Sequence, residues 1–235
     1  VIIVFSQEVK TGKALGYFNP VDKYSASTYS DSNEGDIFYI TTDGCGGTAD
    51  QENIIKATLA HEFQHMIYFD EHYNRGVTAT YAWLNEALSQ AAEYYNNYLV
   101  NHEGWMKNFL CGNASVNWAD LSLTHWTSYN YGYGAIYIRY LIEQYGDTAI
   151  KNMCSTEKVG IAAVEAATGD DFNSIFYNFT IALAISDTVA STDTDYNSKY
   201  DFTILKMQDI QQGGAGVRKG LVPTSTVLSA GGTVT

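Results

Sequence analysis

Short apolar and aromatic runs, separated by glycine and polar turn residues, mark the first forty positions of the chain. The runs at residues 1–5, 15–18 and 36–41 are rich in Val, Ile, Phe and Tyr. Such side chains favour strands, because they pack well on a pleated surface. The pattern therefore predicts a small sheet at the start of the chain.

A long helical pattern follows the glycine-rich residues 44–47. Thr48 and Gln51 have the spacing of a capping box, in which each side chain bonds the other residue's backbone N–H. From there to Asp70, apolar residues occur around most of the helix circumference. The pattern predicts a helix that is buried in the middle of a domain.

The second half of the chain is mostly helical in pattern. Helices are predicted at about residues 80–100, 105–110, 132–145, 147–154, 161–168 and 171–185. After Ser186 the composition changes to Ser, Thr, Asp and Gly, with short β-like runs.

These patterns predict an α+β domain at residues 1–187. Its sheet and long helix occupy residues 1–70, and a helical lobe occupies residues 71–187. Residues 188–235 are predicted to form a β-rich tail or the start of a second module.

Composition and charge limit the kinds of partner. Of 235 residues, 46% are hydrophobic and 17% charged, which is typical of a globular protein. The net charge is −13 and no basic stripe occurs, so we expect no binding to nucleic acid. No apolar run approaches the roughly 20 residues that span a bilayer, so we expect no membrane span. We also expect a monomer.

The residue usage and the start of the chain point to secretion. Few lysines, 19 tyrosines and many Asn, Ser, Thr and Gly are typical of secreted bacterial enzymes. The chain begins at Val1 without an initiator methionine or a leader, as expected of a mature form or an excised fragment. We expect an extracellular or cell-envelope location. The three cysteines allow at most one internal disulfide, and the sequence does not choose the pair.

The sequence H-E-F-Q-H at residues 61–65 carries candidate chemistry. His61 and His65 are four apart, so both imidazoles lie on one helix face and can reach one ion. Zinc at catalytic sites takes three protein ligands plus water. Glu62 is rotated by about 100° from His61 and suits a general base that activates the zinc-bound water. The motif predicts zinc-dependent hydrolysis of a peptide bond.

A third protein ligand must lie elsewhere. One known pattern would place Gly and His where Tyr68 and Glu71 stand, and His72 is one residue out of register. The alternative pattern takes a glutamate from a separate downstream helix. W-L-N-E-A-L-S at residues 83–89 presents Glu86, which we expect to be the third metal ligand.

H-E-F-Q-H followed by W-L-N-E-A-L-S resembles the gluzincin clan, which includes thermolysin and the aminopeptidases, and most of all the hyicolysin-type family. The resemblance extends to residues 35–41 and 131–141. It implies a zincin fold, in which a twisted sheet lies above the active-site helix, with a helical lobe below and the cleft between. In related enzymes an edge strand pairs with an extended peptide, so the resemblance implies that Ile37, Phe38 and Tyr39 bind substrate.

The same resemblance leaves two assignments open. Thermolysin-like enzymes use an aspartate four residues after the Glu ligand to orient a zinc-bound histidine, but this chain has Gln90 there. Gln90 and Glu93 are therefore rival candidates for that role. For the donor to the oxyanion, the aminopeptidase pattern Y-x-x-G-A indicates Tyr131, and the thermolysin-like pattern indicates His125. We favour Tyr131.

The chain lacks the G-x-M-E-N type motif with which aminopeptidases bind a free amino terminus, so an endopeptidase is favoured over an exopeptidase. The competing hypothesis is a zincin-fold binding or scaffold protein with an idle metal site. Related secreted peptidases often carry calcium as well. Asp193, Asp195 and Asn197 begin like a calcium loop, but Ser198 and Ile204 break the pattern, so no calcium site is assigned.

Overall fold

The computed structural model describes residues 1–11, 14–43, 45–98, 100–111, 121–185 and 200. This part of the chain has a mixed α+β architecture with one small sheet and many helices, as the sequence predicts. The predicted tail or module at residues 188–235 lies outside the described residues, apart from residue 200.

Three strands form the sheet: β1 (Ile2–Ser6), β2 (Gly16–Phe18) and β3 (Ile37–Thr41). A short helix, α1 (Glu8–Thr11), follows β1, and a 3-10 turn at Pro20–Lys23 follows β2. The strand order is β1-β3-β2, with β1 parallel and β2 antiparallel to β3.

The central position of β3 corrects one prediction. Its backbone is paired on one side with β1 and on the other with β2, and no side is left for a peptide. Ile37 and Phe38 are buried, and the Tyr39 hydroxyl donates to Asp22. The prediction that Ile37, Phe38 and Tyr39 form a substrate-pairing edge strand is therefore wrong, because pairing between distant strands decides which one is at the edge.

In the described part of the chain, six longer helices follow the sheet. They are α2 (Ala49–Tyr73), α3 (Ala82–Tyr95), α4 (Val100–Cys111), α5 (Tyr131–Ser155), α6 (Ile161–Thr168) and α7 (Phe172–Ile185). A 3-10 turn at Ser128–Asn130 leads into α5. Element α5 consists of two helical segments that meet at Gly146, where φ is 72° and ψ is 176°, so the separate helices predicted at 132–145 and 147–154 are confirmed.

Helix α2 begins at the predicted capping box. The Thr48 hydroxyl accepts from the Gln51 N–H at 3.3 Å, and the Gln51 side chain accepts from the Thr48 N–H at 2.8 Å. The sheet then packs on this helix through two strand residues, Phe38 and Ile40, and two helix residues, Ile55 and Met66. A second and larger core joins α3 to the later helices, so α2 lies between the sheet and the helical lobe.

Helix α2 is less completely buried than its apolar pattern predicts. Phe63 is 43% exposed and Ile67 is 37% exposed, because the helical lobe covers only part of the circumference. The buried face instead carries His61 and Glu62. Burial of these polar groups requires partners for them, and α3 provides several.

Two further observations concern the described residues as a whole. Cys45 and Cys154 are both free thiols. None of the helices in the described part of the chain is both long and apolar enough to cross a membrane.

Candidate metal centre

The structure brings the three predicted metal ligands together. His61 and His65 lie one turn apart on α2, and Glu86 reaches them from α3. One Glu86 oxygen lies 3.1 Å from His61 Nε2, and the other lies 3.8 Å from His65 Nε2. The potential ligand atoms of the three residues all lie within 4.8 Å of one another. Two imidazole nitrogens and a carboxylate oxygen thus converge on one point.

The other ring nitrogen of His61 is held by Glu93. His61 Nδ1 lies 2.7 Å from Glu93 Oε1, and Gln90 Nε2 donates to the same oxygen at 3.1 Å. Residues 86, 90 and 93 are spaced by four and then three positions, so they share one face of α3. Of the two rivals for this role, Glu93 is the one that contacts the ring, and Gln90 contacts Glu93.

His65 is held by two residues that the sequence did not single out. Its Nδ1 lies 3.0 Å from Asn85 Oδ1 and 3.1 Å from Ser89 Oγ. Asn85 and Ser89 are four residues apart on α3, next to Glu86 in a mostly apolar segment. Two polar residues at helical spacing beside a predicted ligand are the signal from which these partners could have been predicted.

Glu62 lies beside the three ligands and is 7% exposed. Its Oε2 accepts from the backbone N–H of Phe18, at the end of β2, at 3.0 Å. Burial, with the neighbouring charge of Glu86, raises the pKa of Glu62 to about 7. A carboxyl group with such a pKa can take up and release a proton near neutral pH.

The two histidines differ in their affinity for a proton. Burial lowers the pKa of His61, but hydrogen bonds to Glu86 and Glu93 outweigh it and raise that pKa to about 10. Burial, with the charge on His61, lowers the pKa of His65 to about 4. Burial alone would raise the pKa of Glu86, but its hydrogen bond to His61 holds that pKa below the usual value. The carboxyl groups of Glu86 and Glu93 thus favour positive charge at the point on which the ligands converge.

Tyr131 lies at the start of α5 and hydrogen-bonds to Glu86. Its ring centroid is 6.2 Å from that of His61, 5.3 Å from that of Trp105 and 5.0 Å from a ring of Trp126. Burial, together with the charge of Glu86, raises the pKa of the Tyr131 hydroxyl above its ordinary value. The hydroxyl therefore stays protonated and can donate a hydrogen bond.

Two other histidines lie outside this cluster. His125 is exposed and does not line the cavity next to the metal ligands. His72 is buried near the end of α2, where its Nδ1 bonds the carbonyl of Tyr68 at 2.8 Å. Of the two predicted oxyanion donors, only Tyr131 is brought to the site.

A cavity of about 370 Å³ opens beside the cluster. Its walls come from β2, the segment before it, α2, α3, α4, the 3-10 turn before α5, and α5. The lining residues are Ala14, Leu15, Gly16, Thr58, His61, Glu62, Gln90, Glu93, Trp105, Ser128 and Tyr131.

Strand β2 borders this cavity with its outer edge. The Thr41 N–H donates to the Leu15 carbonyl, and Tyr17 is opposite Tyr39 in the same register. Alternate residues of an antiparallel strand point their backbone groups towards and away from the partner. The N–H and C=O of Gly16 therefore point away from β3, on the side where Phe18 bonds Glu62.

Comparison with known proteins gives one partial similarity. Neutral metalloprotease ShpI of Staphylococcus hyicus is 35% identical over 88 residues, covering 34% of this chain and 18% of that protein. The chain thus spans under a fifth of the relative's length. No protein-family model matches.

Proposed function

We propose that this protein is a zinc-dependent peptidase. The observation that carries the proposal is the convergence of His61, His65 and Glu86, with the carboxyl group of Glu62 beside them. Similarity to a neutral metalloprotease supports the same reaction class. An idle site in a binding or scaffold protein needs no carboxyl group buried beside the metal ligands, so we favour the enzyme.

The donor set fits zinc. Two imidazoles and one carboxylate are a common protein ligand set for catalytic zinc. Each Nδ1 is held by an acceptor, Glu93 for His61 and Asn85 for His65. That arrangement fixes the ring orientation and leaves both Nε2 atoms for the ion. When bound, zinc supplies a Lewis acid that polarises a carbonyl group and acidifies water.

The protein's own groups then divide the reaction between them. Glu62 accepts a proton from the attacking water and passes it to the departing amine, for which a pKa of about 7 is suited. Tyr131 donates its hydroxyl proton in a hydrogen bond to the oxyanion that develops on the attacked carbonyl.

The outer edge of β2, rather than β3, is the edge that we propose pairs with the substrate. The backbone N–H and C=O of Gly16 point away from β3 and border the cavity. An extended peptide that pairs with Gly16 would place its backbone alongside Glu62 and His61. A side chain on Gly16 would meet Ile40 and Thr58 at 2.7 and 2.8 Å, so only glycine fits without rearrangement.

Several finer features belong to the same proposal. The active-site helix between a sheet and a helical lobe fits a thermolysin-type gluzincin, for which the hyicolysin-type family is the nearest resemblance. We propose internal cleavage of protein or peptide chains by a secreted monomer, with residues 1–187 as the catalytic domain. Calcium sites, if present, are not assigned to particular residues.

The test is a glutamate-to-glutamine exchange at position 62. Glu62→Gln keeps the volume of the side chain but removes the base, so we expect cleavage of casein to fall by about 10²- to 10⁴-fold. Glu71→Gln is the matched control, since Glu71 lies on the same helix and pairs with Arg75 at the surface. A chelator should abolish activity, and added zinc should restore it.

Two results would contradict the proposal. Cleavage by Glu62→Gln at the native rate would refute the mechanism, and a zinc-loaded wild type that cleaves nothing would favour the binding protein. Peptides that are acetylated at one end and amidated at the other separate the endopeptidase from the exopeptidase, because only an endopeptidase should cut them.

A further inference from the structure

Tyr131 occupies a position at which its own helix gives it little support. It is the first residue of α5. A helical side chain leans towards the amino-terminal end of its helix, so that of Tyr131 extends past the end of α5 and has no earlier turn to pack against. Contacts from other parts of the chain therefore hold the ring, whose hydroxyl group is the proposed donor to the oxyanion.

The ring of Trp126 lies closer to that of Tyr131 than do the rings of Trp105 and His61. The rings of Trp126 and Tyr131 meet at 83° with their centroids 5.0 Å apart, which is a favourable edge-to-face geometry. The same indole also lies over Gly134, one turn further along α5, where a Cβ would be 3.7 Å from its Cζ3. Trp126 thus packs across the first turn of α5 and is partly buried there.

Asn130 holds the loop that carries Trp126. Asn130 is 1% exposed, and its Oδ1 accepts from the backbone N–H of Thr127 at 2.9 Å and from the Thr127 hydroxyl at 2.6 Å. Its Nδ2 donates to the carbonyl of Ser122 at 2.6 Å. These bonds tie the chain on both sides of Trp126 to the turn before α5. The indole is therefore held in a fixed position relative to Tyr131.

The hydroxyl group of Tyr131 bonds Glu86 in this structure. A phenol has one O–H and donates one hydrogen bond at a time. When that proton turns towards the oxyanion, the bond to Glu86 is lost, and the ring contacts keep the hydroxyl in place. Support from Trp126 is therefore needed more in the transition state than in the complex with bound substrate.

We propose that Trp126 is a positioning residue, which holds the ring of Tyr131 so that its hydroxyl reaches the oxyanion. The inference rests on the proposed peptidase function and adds a residue to it. Trp105 contacts the same ring but also lines the cavity, so its replacement would change substrate binding as well. Trp126 acts through Tyr131 and should change kcat rather than KM.

The test is a double-mutant cycle with the zinc-loaded full chain and a peptide that is acetylated and amidated at its ends. Trp126→Leu removes the aromatic contact and should lower kcat by about three- to tenfold, with KM changed by less than about twofold. Tyr131→Phe removes the hydroxyl and should lower kcat by about 10²- to 10³-fold. In the Tyr131→Phe background, Trp126→Leu should have almost no further effect, because the group that it positions is absent.

Two further variants separate positioning from a general loss of structure. Trp126→Phe keeps an aromatic ring and should recover most of the lost kcat. Trp83→Phe is the matched control, because Trp83 is 2% exposed and packs on α5 through Tyr137 rather than Tyr131. It should reduce stability to urea more than Trp126→Leu does and leave kcat within about twofold of the wild type.

A measurement without zinc or substrate tests the contact itself. In the metal-free protein labelled with fluorotyrosine, the fluorine NMR signal of Tyr131 is the one that Tyr131→Phe removes. Trp126→Leu should shift this signal, because the ring current of the indole is lost. Trp83→Phe should leave it in place.

The outcomes separate the two proposals. If the wild type cuts the peptide, the positioning role is refuted when Trp126→Leu retains the native kcat, lowers it by the same factor in both backgrounds, or changes KM alone. Native kcat in Tyr131→Phe, an equal loss of kcat in Trp83→Phe, or an unmoved fluorine signal in Trp126→Leu also refutes it, and the peptidase stands. If the zinc-loaded wild type cuts no peptide, both proposals fail.

Discussion

Replacement of Glu93 by glutamine should weaken zinc binding without removing a metal ligand. Glu93 is 3% exposed, and its Oε1 lies 2.7 Å from His61 Nδ1. Glu93→Gln keeps the size of the side chain and an acceptor oxygen but loses the negative charge. The variant therefore isolates the charge that supports His61 as a ligand.

The magnitude follows from the kind of hydrogen bond that changes. A buried bond to a charged group contributes about 1.5 to 3 kcal/mol, and a neutral bond about 0.5 to 1.5 kcal/mol. The difference of about 1 to 1.5 kcal/mol corresponds to a roughly five- to tenfold higher Kd for zinc. Asn85→Ala should have a smaller effect, since Ser89 Oγ remains 3.1 Å from His65 Nδ1.

Competition with a chromophoric chelator at fixed pH measures the zinc Kd of each variant. Glu71→Gln, which makes the same chemical change at a side chain that is 40% exposed, is the control and should bind zinc as the wild type does. The reasoning is refuted if Glu93→Gln binds zinc as tightly as the wild type. It is also refuted if Asn85→Ala weakens binding more than Glu93→Gln does.

Three further predictions concern the fold and its thiols. The protein in zinc at about 100 times the Kd should have a Tm about 5 to 10 °C higher than the protein from which a chelator has removed the zinc. The same Tm in both thermal melts would argue against a zinc site in the native state. Gly132→Ala should lower the free energy of unfolding by about 1 to 3 kcal/mol, because a Cβ there collides with the carbonyl of Trp105. Gly134→Ala is the matched control, because a Cβ at Gly134 would have its nearest neighbour 3.6 Å away. Urea denaturation of this variant should show no loss in the free energy of unfolding. Burial raises the pKa of the Cys154 thiol to about 11, whereas Cys45 is exposed. Iodoacetamide at about pH 8 should therefore label Cys45 first in the folded protein, which peptide mass mapping can show. Equal labelling rates would mean that Cys154 is accessible.

Local signals in the sequence were sufficient for the helices. The capping box at Thr48, the apolar periodicity after it and the glycine at 146 act within a few residues of chain, so they can be read without the fold. The break at Gly146 is an example. The sequence predicts a helix on either side of it, and the backbone of Gly146 is not helical.

The identity of the groups around the two histidines depended on tertiary structure. Glu93 and Gln90 both lie on the face of α3 that carries Glu86. Which of them contacts His61 depends on how α3 crosses α2, and sequence spacing does not contain that angle. Asn85 and Ser89 were missed for the same reason, since their partner His65 lies on the preceding helix, 20 and 24 residues away in the chain.

By itself, the sequence determined the candidate metal ligands of this protein. Two histidines one turn apart, a glutamate between them and a second glutamate downstream identify a candidate zinc site, because helix geometry fixes the spacing of the first three residues. Only the tertiary structure decided which strand borders the cleft and what lines the cavity beyond the ligands. Strand order and helix crossing arise from contacts between residues far apart in the chain, and no local pattern encodes them. The edge of β2 and the position of Gln90 in the cavity wall are products of that packing.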